Sequence, residues 1–168
     1  MLIERIRSKV PDAAIRTSFI AGFPGETERL FDEMLSFIEA VRFDKVGVFP
    51  FSPEEGTPAF SMRPMPRPAT SLRRCETLMS IQREISESIN ASRIGRSINV
   101  VIDGTVRAPE VPGFSYEGRT QWDAPEVDGK VYVKGHDVKT GDIVPVMIQS
   151  ANEYDLFGEH VSSPSGAG

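Results

Sequence analysis

Between residues 13 and 51 the chain places a strand, a helix and a second strand in quick succession, and this most limits its fold. The apolar, β-branched run "AAIRTSFIAG", 13–22, reads as a buried strand. Gly22, Pro24 and Gly25 break it. Thr27 is placed to cap a helix ending near Val41, with Leu30, Phe31, Met34, Leu35, Phe37, Ile38 and Val41 at steps of three and four. "FDKVGVFPFS" then reads as a strand over 43–51. Two strands joined by a helical crossover run parallel. Parallel strands are normally covered on both faces and flanked by others. A lone pair needs more strands, a second copy or another part of the chain to cover it.

The flanks extend this pattern. Leu2, Ile3 and Ile6 give residues 2–9 helical spacing, stopped at Pro11-Asp12. No capping residue precedes Leu2, and the helix reads as the end of something larger. Five prolines mark 52–69 as an irregular loop. A third helix is expected over 70–92, capped by Thr70 or Ser71, with Leu72, Leu78, Met79, Ile81, Ile85 and Ile89 as its apolar positions. From Gly95 the pattern changes. "SINVVIDG", "GKVYVKG" and "DIVPVMIQSA" are short strands between Gly and Asp turns, the spacing of a small barrel. The expected division is 1–92, 93–160 and a disordered tail, 161–168.

Composition narrows the function. Hydrophobic residues are 39% and charged residues 26%, with a net charge of −5, so there is no global basic footprint for nucleic acid. No apolar run approaches the ~18 residues that span a bilayer. The first ten residues lack the apolar core of a signal peptide. One cysteine, Cys75, forms neither a disulfide framework nor a multi-cysteine metal site, and a reducing cytoplasm is the expected compartment. Cys75 itself reads as a small packing residue.

The turn "GFPGET" is neither a Walker A loop nor Gly-x-Gly-x-x-Gly, and its plain role is chain reversal. On an extended strand Arg16, Ser18 and Ile20 share one face, offering a cation, a hydroxyl and an apolar contact. Phe49 and Phe51 share a face of the second strand, where core packing is the commoner role.

The stretch "IRTSFIAGFPGETERLFDEMLSFIEAVRFDKVGVFPFSPEEGTPA" closely resembles the late barrel segment of radical S-adenosylmethionine methylthiotransferases. "GRTQWDAPEVDGKVYVKG" and "GDIVPVMIQSANEYDLFGE" resemble the TRAM domain that ends those enzymes. The resemblance runs from residue 2 to about 160. Arg16-Thr17, "VGVFPFSPEEGTPA" and "DAPEVDG" look most like the ribosomal-protein branch of the family, the RimO type, and relatives acting on tRNA usually carry Asp where this chain has Ser18. The resemblance implies an α/β plus all-β fold: part of a parallel, TIM-like α/β barrel, then a small OB-like β-barrel. It implies a methylthio group added to an aspartate of the twelfth small-subunit ribosomal protein. It implies S-adenosylmethionine, held in part by Arg16, Ser18, Ile20, Phe49 and Phe51, and two 4Fe–4S clusters. The CxxxCxxC motif and the three further cysteines that hold those clusters are absent, so this chain alone is expected to be inactive, with no catalytic or metal-binding residue of its own. The missing half could be supplied in trans.

Residues 93–168 hold seven Lys/Arg against eleven Asp/Glu. Gripping RNA phosphates takes cations, so this balance favours a basic ribosomal protein over nucleic acid. A solvated acidic face is the plainer account. Tyr116, Trp122, Tyr132 and Tyr154 could stack on bases but read more simply as half-buried sheet aromatics. The rival functions are a tRNA methylthiotransferase fragment and a standalone TRAM-type adaptor for protein or RNA.

Overall fold

The computed structural model describes residues 2–106 and 111–161. The expected disordered tail, apart from Val161, lies outside these residues. The chain divides into two compact units, residues 1–86 and 87–168.

The first unit is built on β1 (Arg16–Ala21) and β2 (Lys45–Pro50), paired in parallel from Arg16↔Lys45 to Ala21↔Pro50. The crossover is α2 (Glu28–Val41). Thr27 caps it, its hydroxyl accepting the Leu30 N–H at 3.3 Å. It ends at Arg42, whose N–H still donates to the Ile38 carbonyl and whose left-handed backbone then turns the chain out of the helix. Phe31, Ile38 and Val41 are buried on its inner side. Phe19 of β1 meets Phe37 and Phe43 edge-on at 6.5 and 5.9 Å, which seats α2 against one face of the strand pair. No residue of α1 (Leu2–Lys9) is buried; the helix is tied down by Arg7, which donates to the Val41 and Arg42 carbonyls at 2.6 and 2.7 Å. A cation at these orphan carbonyls also suits the negative end of the α2 dipole.

Several expected boundaries move. Both strands are shorter than 13–22 and 43–51. Residues 52–69 include a one-turn helix, α3 (Pro58–Ser61), because proline fits the first helical position. For the same reason α4 spans Pro68–Ala91, and neither Thr70 nor Ser71 is its cap. The Arg67 carbonyl takes the Thr70 and Ser71 N–H groups instead, at 2.8 and 3.1 Å. The buried line of α4 in this unit is Ser71, Arg74, Cys75, Leu78, Gln82 and Ile85, whereas Leu72 is exposed. Among the described residues β1 and β2 form a two-stranded parallel sheet, without the further strands that a TIM-like barrel would add.

The second unit is a closed barrel in the order β3-β4-β5-β7-β6. Its strands are β3 (Ser97–Thr105), β4 (Tyr116–Arg119), β5 (Val131–Lys134), β6 (Ile143–Ala151) and β7 (Leu156–His160). All neighbours are antiparallel except β5 and β7. Alternate residues point inward, and Val100, Ile102, Val131, Val133, Val146, Ile148 and Leu156 fill the interior. β4 and β7 were not anticipated. Gly118 and Gly158 dilute their apolar pattern, yet both glycines are needed where neighbouring strands press close. Tyr116 and Trp122 pack against the core, Tyr132 stacks on Phe157 at 5.4 Å, and Tyr154 is exposed. The Arg93 guanidinium lies 4.4 Å above the Trp122 ring.

Candidate functional site

Strand alternation gives the first unit one packed sheet face and one open face. Thr17, Phe19 and Ala21 of β1 lie on the packed side. Arg16, Ser18 and Ile20 project to the other. The parallel register sets Ser18 beside Gly47 and Ile20 beside Phe49. Ile20 is 52% and Phe49 56% exposed, a large apolar pair left open across the two strands. Gly47 leaves room for this arrangement: a Cβ there would stand 3.2 Å from the Phe49 ring and 3.5 Å from Ser18 Oγ. Ser18, Ile20 and Phe49 thus form one patch, with Arg16 at its end.

Phe51 does not join that patch. It follows β2, and its N–H still donates to the Ala21 carbonyl at 2.8 Å. Its ring packs edge-on against Phe23 at 5.2 Å. It lines a separate cleft of about 350 Å³ at the carboxyl ends of both strands, with Gly22, Met65 and Ser71.

The "GFPGET" turn does more than reverse the chain. Gly22 adopts φ +81°, and a Cβ on it would fall 1.8 Å from Ser71 Oγ of α4. Its N–H donates to Glu26 Oε1 at 3.0 Å. The same carboxylate receives Arg74 Nη1 at 2.6 Å, with both side chains almost wholly buried, 3% and 6% exposed. Arg74 also reaches Glu28 at 3.0 Å and lies 5.1 Å above the Phe31 ring. The Gly25 N–H donates to the Pro64 carbonyl at 2.8 Å. The turn therefore clasps α4 on one side and the proline-rich loop on the other.

Cys75 is buried beside this clasp. Burial, and secondarily the Glu26 carboxylate, push its thiol above the usual range. At neutral pH a thiol reagent should label it roughly tenfold or more slowly than a free cysteine, and denaturant should remove the difference. The folded state holds this proton more tightly than the unfolded one. The associated stability is complete below the ordinary thiol value and falls as pH rises through it and on to the folded value. Labelling at the free-cysteine rate in native buffer would contradict the packing described.

Among the described residues no cluster of three or more His, Cys, Asp or Glu is arranged to hold a metal ion. No described helix is long and apolar enough to cross a membrane.

Residues 94–161 match the TRAM domain family. Nearly the whole chain is similar to proteins named "Ribosomal protein uS12 methylthiotransferase RimO". The relative from Desulforamulus reducens is 47% identical over 163 residues, covering 95% of this chain and 35% of that protein. The relative from Thermoanaerobacter sp. is 44% identical over 160 residues, 95% of this chain and 35% of its own length. One from Synechococcus sp. is 45% identical over 166 residues, 98% of this chain and 34% of its own. The chain spans about a third of the length of these curated relatives. Over nearly all of its own length the chain is thus similar to RimO-named proteins, with the TRAM-family match at residues 94–161.

Proposed function

We propose that the chain contributes the C-terminal part of a cytoplasmic radical S-adenosylmethionine methylthiotransferase, acting on an aspartate of ribosomal protein uS12. The observation that carries this reading is the 44–47% identity to RimO-named proteins along almost all of the chain. In this reading residues 1–92 complete a larger parallel α/β barrel, and 93–160 form the TRAM barrel. The parallel β1–β2 pair, covered by α2 on one face only, suits such a role.

The open β1–β2 face fits part of an S-adenosylmethionine pocket. Ile20 and Phe49 offer an apolar and aromatic surface for a purine. Ser18 offers a hydroxyl, and Arg16 a charge at the carboxylate end. Phe51, on the neighbouring cleft, would bound the site rather than touch the purine. Bound there, S-adenosylmethionine would supply the methyl group and the radical source of the family's chemistry. The residues present do not fit an iron–sulfur cluster. Clusters take several thiolates, and the single cysteine here is buried in α4. No step through a cluster is therefore assigned to these residues.

Deleting the gene should remove the methylthio mass increment from uS12 purified from the source cells. Loss of a methylthio group from tRNA instead would favour the tRNA-modifying rival. No change in either would leave the adaptor. Returning the gene with Phe49→Ala or Ile20→Asp should restore normal protein levels and less than about a tenth of the modification. Both residues are half exposed, so folding should shift by no more than about 0.5 kcal/mol. Full modification with both variants would exclude this face from the cofactor site.

A further inference from the structure

The cleft at the carboxyl ends of β1 and β2 is distinct from the flat face that carries Ser18, Ile20 and Phe49. It lies one residue further along each strand, reached through Gly22 on one side and Phe51 on the other. Ligands of parallel α/β folds gather at this end of the strands. The cleft's volume of about 350 Å³ is small for a cofactor and ample for one side chain. No charged side chain lines it; Phe51, Met65, Pro66 and Leu72 give it an apolar wall, and Ser52 and Ser71 are its polar side chains. Two large apolar residues stand open at its margin, Leu72 at 54% and Phe23 at 39% exposure.

Charged residues adjoin the lining at two places along the chain. Glu54 and Glu55, exposed, follow directly on the lining residue Pro53. Arg67, also exposed, stands between the lining residues Pro66 and Pro68. An apolar slot with two carboxylates on one margin and a guanidinium on another complements an extended polypeptide of mixed charge. It suits a nucleic-acid strand poorly, because the lining has no cation for phosphate and two carboxylates repel it.

We propose that this cleft is a docking subsite for the polypeptide substrate, seating an uncharged apolar side chain while a neighbouring carboxylate faces Arg67 and basic residues face Glu54 and Glu55. This rests on the reading that the substrate is a ribosomal protein with a target aspartate. The subsite places that aspartate at the mouth of the cleft, beside the proposed cofactor face. Leu72 and Arg67 are its specificity-determining residues.

The test is a titration of the chain, labelled with 13C-methyl methionine, with purified uS12. Met65 lies in the cleft, and Met147 of β6 serves as the reporter on the barrel. The expected result is a shift of the Met65 methyl resonance on adding uS12. Leu72→Glu should weaken binding about tenfold or more, and Arg67→Glu about fivefold, with circular dichroism unchanged in both. Binding of uS12 with equal affinity to wild type and Leu72→Glu would overturn the subsite and leave the proposed function standing. So would a shift confined to Met147. No binding of uS12 at all, or a Met65 shift produced only by tRNA, would overturn the subsite and the ribosomal-protein reading together.

Discussion

Arg74→Ala should cost the first unit about 3–5 kcal/mol, because it leaves the Glu26 carboxylate buried with its charge unpaired. The loss extends beyond one ion pair. Glu26 also accepts the Gly22 N–H, and Arg74 covers the Phe31 ring, so turn, α2 and α4 loosen together. Helical circular dichroism should collapse at much lower denaturant. Trp122, the single tryptophan, lies in the barrel, and its fluorescence transition should move little. Pairing Arg74→Met with Glu26→Gln should recover more than half of the loss. The carboxylate charge is then gone, while an oxygen remains for Gly22. Glu28→Ala should change stability by less than about 0.5 kcal/mol, since that carboxylate is exposed and solvent screens it. Equal losses from Arg74→Ala and Glu28→Ala would contradict this assignment.

Gly158→Ala should destabilise the barrel by about 3 kcal/mol, at the upper end of what one added methyl does to a packed interior. A Cβ at this position would stand 2.4 Å from the Met147 carbonyl oxygen and 2.6 Å from Val146 Cγ1. The valine methyl can be trimmed; the carbonyl belongs to the neighbouring strand and cannot move without opening the ladder. Val146→Ala in the same background should therefore give no more than partial relief. The loss should be read from Trp122 fluorescence, with the helical signal holding. A change below about 0.5 kcal/mol would mean that β6 and β7 are not spaced as described.

The two effects differ in how well the sequence announced them. The strand–helix–strand order, the Thr27 cap and three of the five barrel strands were legible, because each rests on local periodicity or turn chemistry. β4 and β7 were not, because glycines that strand packing requires look like turn residues from a single sequence. The Arg74–Glu26 pair was hidden by its chemistry, since a charged residue reads as solvated until its partner is known. A trace was present: Arg74 sits four residues before Leu78 and three after Ser71, on the line that continues through Gln82 and Ile85. In the candidate site, alternation alone placed Arg16, Ser18 and Ile20 on one face, and the register added Phe49. Phe51 parted from them because the strand ends at Pro50, beyond which alternation no longer fixes where a ring points. Gly47 was missed because its role depends on a neighbour across the pair.

The order of strands in the barrel bears on how a ribosome can deliver it. β3, the first barrel strand in the chain, takes β6 as one neighbour, and β5 takes β7, the last. No subset of early strands closes, so the ring waits for the final strand to leave the exit tunnel. The βαβ segment and the α4 residues it packs against all precede β3 in the chain and can settle while translation continues. Nascent chains stalled before Leu156 should hold a formed α/β segment beside an open sheet, the state most in need of a chaperone.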